Sequence, residues 1–131
     1  MAAKYTRELP RPTRSELEIL QVLWEDSPAT VRQVHDRLNR ARPIGYTTVL
    51  KLMQIMAEKG LVRRDERERA HLYRAALAQS DTQARLVGEL IDKVFGGSVG
   101  RLVLEALARK PATAAERAQI RRMLKEHEES R

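Results

Sequence analysis

Residues 45–60 read GYTTVLKLMQIMAEKG, a stretch that is mostly apolar but carries one thin polar line. Thr47, Lys51, Gln54 and Glu58 recur at steps of four, three and four, the spacing of one helix face. Val49, Leu52, Met53 and Met56 occupy the opposite side and predict packing on neighbouring helices. Gly45 suits the N-cap, and Gly60 stands where a left-handed C-terminal residue is wanted. Read alone, the polar line fits a solvated face as well as a reading surface, so its neighbours decide.

Upstream, Thr13-Arg14-Ser15-Glu16 is a capping box, and Leu17, Leu20, Leu23 and Trp24 continue a helical stripe to about Glu25. Asp26-Ser27-Pro28 breaks it. Thr30-Val31-Arg32-Gln33 is a second capping box, opening a short helix with Val31, Val34 and Leu38 on its buried line. Downstream, Leu61–Arg64 and His71–Arg74 have strand character and flank the charged run Asp65-Glu66-Arg67-Glu68-Arg69, which predicts a hairpin. From about Gln79 the helical period returns, with Ser80 or Asp81 as cap, and it stops at Gly96-Gly97. Ser98 caps a further helix that ends before Pro111, and Thr113-Ala114-Ala115-Glu116 opens a last one. The expected domains are a flexible arm over 1–12, a winged-helix domain over 13–76 and a helical dimerisation domain over 77–131. The expected fold class is mainly α: a winged helix-turn-helix of three helices and a two-stranded wing, then three helices.

Composition narrows the chemistry. The 131 residues carry a formal charge of +7, with 42% hydrophobic and 33% charged residues. Residues 1–74 hold 15 Lys/Arg against 10 Asp/Glu, and residues 75–131 hold 10 against 8, so the basic excess lies in the first half. A polyanion such as nucleic acid is the expected partner there. The absence of Cys excludes disulfides, thiolate metal sites and cysteine nucleophiles. His35, His71 and His127 lie on separate elements, and no Gly-rich phosphate loop or His-Glu-x-x-His is present, so neither catalysis nor a metal or cofactor is expected. No apolar run reaches the roughly 18 residues of a membrane span, and a cytoplasmic location is expected.

In a winged helix-turn-helix the third helix enters the DNA major groove, which admits one helix. Thr47 and Thr48 are short enough to let the backbone approach. Lys51 and Gln54 reach base edges further along, and Tyr46 can contact a phosphate. Arg63, Arg64, Arg67 and Arg69 on the hairpin, and Arg32 near the start of the second helix, are the expected backbone contacts. Asp65, Glu66 and Glu68 dilute that cluster. The three C-terminal helices are too small to bury a core alone and need a partner, either the chain's own winged-helix domain or a second copy. Leu86, Leu90, Val94, Leu102, Val103, Leu107 and Leu124 are the expected homodimer interface, and a twofold dimer would read two half-sites about one helical turn apart. A winged-helix module that binds protein rather than DNA is the alternative.

Tyr46-Thr47-Thr48-Val49-Leu50, then Glu58-Lys59-Gly60-Leu61-Val62 and Tyr73, resemble the BlaI/MecI/CopY family of penicillinase-type repressors. Glu16–Leu20 with Leu23-Trp24, Val31 to Val34, Phe95-Gly96-Gly97-Ser98 and Ile120-Arg121 extend the resemblance over about residues 13–126. It implies a homodimeric repressor on an inverted-repeat DNA operator, with half-sites built around TACA/TGTA. The family's base-reading positions fall on Thr47, Thr48, Leu50 and Lys51; Leu50 and Lys51 differ from the Arg and Thr of the best-known members. The resemblance also implies a membrane sensor-protease as a partner in β-lactam-responsive members, where an Asn-Phe bond is cut. The corresponding bond here is Glu105-Ala106, which matches neither residue. The cysteine metal site of the copper-responsive branch has no counterpart.

Overall fold

The computed structural model describes residues 10–130. Residues 1–9, most of the expected N-terminal arm, lie outside the described residues. Among the described residues, six helices and two strands follow in the order α1 (Arg14–Glu25), α2 (Val31–Ala41), α3 (Tyr46–Lys59), β1 (Val62–Asp65), β2 (Leu72–Ala75), α4 (Gln79–Lys93), α5 (Val99–Arg109) and α6 (Ala114–Glu129). This is the mainly helical architecture the sequence predicts.

Local chemistry sets most boundaries. Thr13, Thr30 and Thr113 each accept from the N3 amide while Glu16, Gln33 and Glu116 reach back to the cap amide, so all three capping boxes form. Gly60 ends α3 at φ 86°, a conformation costly for any residue with a Cβ. Gly96 and Gly97, at φ 58° and 83°, turn the chain after α4. Ser98 caps α5 through the Arg101 amide at 3.1 Å. Ser80 and Asp81 do not cap α4. The helix already begins at Gln79, which places Asp81 inside the first turn, where its charge complements the helix dipole.

The chain divides into two compact units, the first ending at Leu86 and the second beginning at Val87. In the first, Ile19, Leu20 and Leu23 of α1, Val31 and Val34 of α2, and Val49, Met53 and Met56 of α3 form one buried core with Leu61, Val62 and Tyr73. Full burial of each such side chain contributes about 1.5–3 kcal/mol. The strands pair antiparallel in the register Val62↔Ala75, Arg63↔Arg74, Arg64↔Tyr73 and Asp65↔Leu72. Each strand begins one residue later than the sequence predicts; in β1 this is because Leu61 serves the helix end instead, its amide donating to the Met56 carbonyl at 2.9 Å. A tie not foreseen from sequence closes the other edge. Ala29 and Tyr73 exchange both backbone hydrogen bonds, at 3.0 and 2.8 Å, so the segment before α2 holds the wing. Trp24 adds a bond from Nε1 to the Leu77 carbonyl at 3.0 Å.

The second unit is different in kind. No residue of α5 or α6 is buried, and Val94, Leu104 and Leu124 are 65, 71 and 62% exposed. α5 and α6 are capped and regular yet leave most of their large apolar side chains exposed.

Candidate nucleic-acid interface

α3 presents two parallel rows of side chains. Thr47, Lys51 and Glu58 form an outward, exposed row, with Thr48 beside it. Tyr46, Leu50 and Gln54 form the row next to the wing; Tyr46 and Gln54 are exposed and Leu50 is half-buried. Both rows are possible because Val49, Met53 and Met56 take the opposite side into the core. Gly45 supplies no side-chain cap, so the first amides of α3 keep their donors for another partner.

Between the second row and the wing lies a groove of about 440 Å³, bordered by Thr30, Arg32, Tyr46, Gln54, Arg64, Arg69 and His71. The guanidinium of Arg32 stands 4.7 Å from the centroid of the Tyr46 ring, a cation–π contact that holds its charge at the groove wall. Of the residues expected from sequence, the groove brings together Arg32, Tyr46, Leu50, Gln54, Arg64 and Arg69, and it adds Thr30 and His71. Thr47, Thr48 and Lys51 lie outside it on the outward face of α3, and Arg63 and Arg67 are not part of its wall. Strand alternation explains the wing: Val62 points into the core, so Arg64 shares its side while Arg63 pairs with Arg74 on the other. That parity puts Arg64, rather than Arg63, on the groove side. His71 lies just before β2, after a turn of undefined type, and carried no such signal.

The wing's charges are partly spent on one another. Arg67 donates to both carboxylate oxygens of Asp65, Nη2 to Oδ2 at 2.7 Å and Nε to Oδ1 at 3.0 Å, and its backbone amide also donates to Oδ1. These side-chain and backbone bonds pull the Asp65 carboxyl down to about 2. Arg64 donates from Nε to Glu66 at 2.7 Å; hydrogen bonding with Tyr73 and Glu66 raises its pKa further above the ordinary arginine value. Among the described residues, Arg32, Lys51, Arg63 and Arg69 have no carboxylate at ion-pair distance, leaving these cations for an outside anion.

A buried ion pair braces α3 from behind. Glu16 is 2% exposed; its Oε2 accepts from Lys59 Nζ at 2.7 Å and its Oε1 from the Thr13 amide at 2.9 Å. Burial pushes its carboxyl up, but Lys59 and Thr13 together outweigh that, and its pKa lies below the ordinary value. The start of α1 is thereby fastened to the last turn of α3.

The penicillinase repressor family profile matches residues 12–126. The chain belongs to the penicillinase repressor family. That family is one of transcriptional repressors. Over 73 residues the chain is 37% identical to the transcriptional regulator BlaI of Mycobacterium tuberculosis, a match spanning 55% of this chain and only about half, 53%, of that protein. It is 20% identical over 121 residues to the penicillinase repressor of Bacillus licheniformis, covering 92% of this chain and 94% of the relative. Among solved structures, the solution structure of the DNA-binding domain of the repressor BlaI aligns with a TM-score of 0.51 at 21% identity, over 58% of this chain and 93% of that one. That likeness shows the same winged-helix fold. No helix among the described residues is long and apolar enough to cross a membrane.

Proposed function

We propose that this penicillinase repressor family member is a sequence-specific transcriptional repressor that binds double-stranded operator DNA as a homodimer in the cytoplasm. In this reading α3 lies in the major groove. Thr47, Thr48 and Lys51 meet base edges and nearby phosphates, while Gln54 reaches an adenine edge further along. Arg32, Tyr46, Arg64 and Arg69 hold the phosphate backbone beside them. Arg63 and Arg67 stand on the outer wing as weaker backbone contacts. The observation that carries the reading is the donor-bearing outer row of α3 beside a groove walled by three arginines.

The second unit supports the homodimer. Leu90, Val94, Val103, Leu107 and Leu124 are all at least 39% exposed, and with the half-buried Leu86 and Leu102 they give a partner copy an apolar surface. So many exposed leucines and valines on amphipathic helices call for burial against another chain. The Glu105-Ala106 bond lies within α5 and carries neither residue of the cleaved Asn-Phe pair, so a sensor-protease forms no part of this proposal.

Salt dependence of affinity for duplex DNA tests the reading. The logarithm of the binding constant should fall with the logarithm of salt by ~0.9 for each phosphate neutralised. Affinity unchanged between low and physiological salt would argue against a phosphate-gripping face.

A further inference from the structure

The turn between α2 and α3 is held in an unusual way. Ile44, two residues before α3, has both backbone polar groups taken by side chains of α2. Its amide donates to Asn39 Oδ1 at 3.0 Å, and its carbonyl accepts from His35 Nε2 at 2.8 Å. A carbonyl only accepts, so Nε2 carries the hydrogen. The same imidazole stands edge-on to the Tyr46 ring, with centroids 5.8 Å apart and planes at 70°, and its Nδ1 faces Asp36 Oδ1 at 3.2 Å. The His35 side chain is only 15% exposed. Tyr46 is the first residue of α3, and its ring also carries the Arg32 guanidinium. One histidine therefore touches the turn backbone and the first recognition side chain together, while Asn39 closes the remaining backbone donor.

We infer that His35 and Asn39 are positioning residues for DNA recognition: they clamp Ile44 and so fix the angle at which α3 leaves the turn. The inference rests on α3 being the element that reads DNA. Reading base edges needs side chains placed to within a fraction of an ångström, whereas gripping phosphates tolerates more play. Loss of the clamp should therefore act on discrimination before it acts on non-specific affinity. The two residues need not touch DNA to do this.

The test uses the full chain and the variants His35→Leu, His35→Gln, Asn39→Leu and Asn39→Asp. Affinity is measured on the best duplex selected by the wild type and on a scrambled duplex at one salt concentration, alongside hydrogen exchange of the Ile44 amide in the free protein. One hydrogen bond corresponds to about threefold to tenfold in an equilibrium. His35→Leu should lower the specific-to-scrambled ratio by about that factor while scrambled binding stays within about twofold. His35→Gln, whose amide can donate near the position of Nε2, should recover most of the ratio, as Asn39→Asp should relative to Asn39→Leu. The Ile44 amide should exchange about threefold to tenfold faster in Asn39→Leu, with the Met56 and Tyr73 amides unchanged. An unchanged ratio in His35→Leu, or equal loss in His35→Gln and His35→Leu, overturns the inference. Faster exchange throughout the core would overturn it too, because the residues would then be general fold supports. A wild type that prefers no duplex at all is a distinct result: it would overturn the DNA reading itself, and with it the recognition role of the clamp.

Discussion

Among the described residues neither Lys51 nor Arg69 has a carboxylate partner, yet their removal should have different consequences. Lys51 stands on the outward row of α3, four residues after Thr47, where a base edge is the natural acceptor. Lys51→Ala should cost about 1–3 kcal/mol on the preferred duplex and relax preference at one base position, with scrambled DNA little affected. Arg69 borders the groove proposed to grip phosphates, so Arg69→Ala should weaken binding to every sequence and lower the salt slope by ~0.9. Arg67 is already committed to Asp65, and Arg67→Ala should therefore change the slope less than Arg69→Ala. Equal slope changes in the two arginine variants would show that the Asp65 pair opens on binding. Glu16 makes a different prediction. Its folded pKa is depressed, so its stabilisation is complete above the ordinary glutamate pKa of about 4.3 and is lost as pH falls through the lowered value. Glu16→Gln should lower stability by about 1–3 kcal/mol at neutral pH, and its urea midpoint should drop less than that of the wild type on acidification. The loss stays below that of a fully buried pair because the Lys59 side chain is 32% exposed and water screens the pair.

At the scale of elements, the chemistry of chain ends made most of the fold legible. Thr13, Thr30 and Thr113 announce three helix starts in the sequence, and each cap is formed. Gly60 announces the end of α3. Gly60→Ala should cost about 1 kcal/mol or more, seen as a lower melting temperature without loss of helical signal, since the residue must hold φ 86°. The one-residue shift of the strands and the Ala29–Tyr73 bridge were not legible, because both depend on backbone pairing across the fold rather than on local residue type. For the candidate site, α3 and its outer row were visible from periodicity alone. The groove was not, since Arg64 and His71 reach it through a register that only the paired strands define. The clamp on Ile44 was equally hidden, because nothing in the sequence marks His35 as a partner of a carbonyl nine residues on.

For the whole molecule, the proposed function assigns reading to the first unit and association to the second. The first has a continuous core; the second leaves Val94, Leu104 and Leu124 more than 60% exposed. Leu104 was not among the interface positions expected from sequence and widens the apolar surface of α5. Leu124→Asp should shift the protein toward a monomer in sedimentation at micromolar concentration. It should also cost more than tenfold in affinity for a two-half-site duplex, while a single half-site binds nearly as before. A double variant that stays dimeric would place the interface elsewhere, and Val94→Asp in the same background supplies that check. The central claim is that α3 and its neighbouring groove read a DNA sequence in two symmetric copies. Selection of bound sites from random duplex DNA by the full chain at physiological salt tests it most directly. An enriched inverted repeat with half-sites about one helical turn apart is the expected result, and a bound pool no richer in any sequence than the starting one would contradict it.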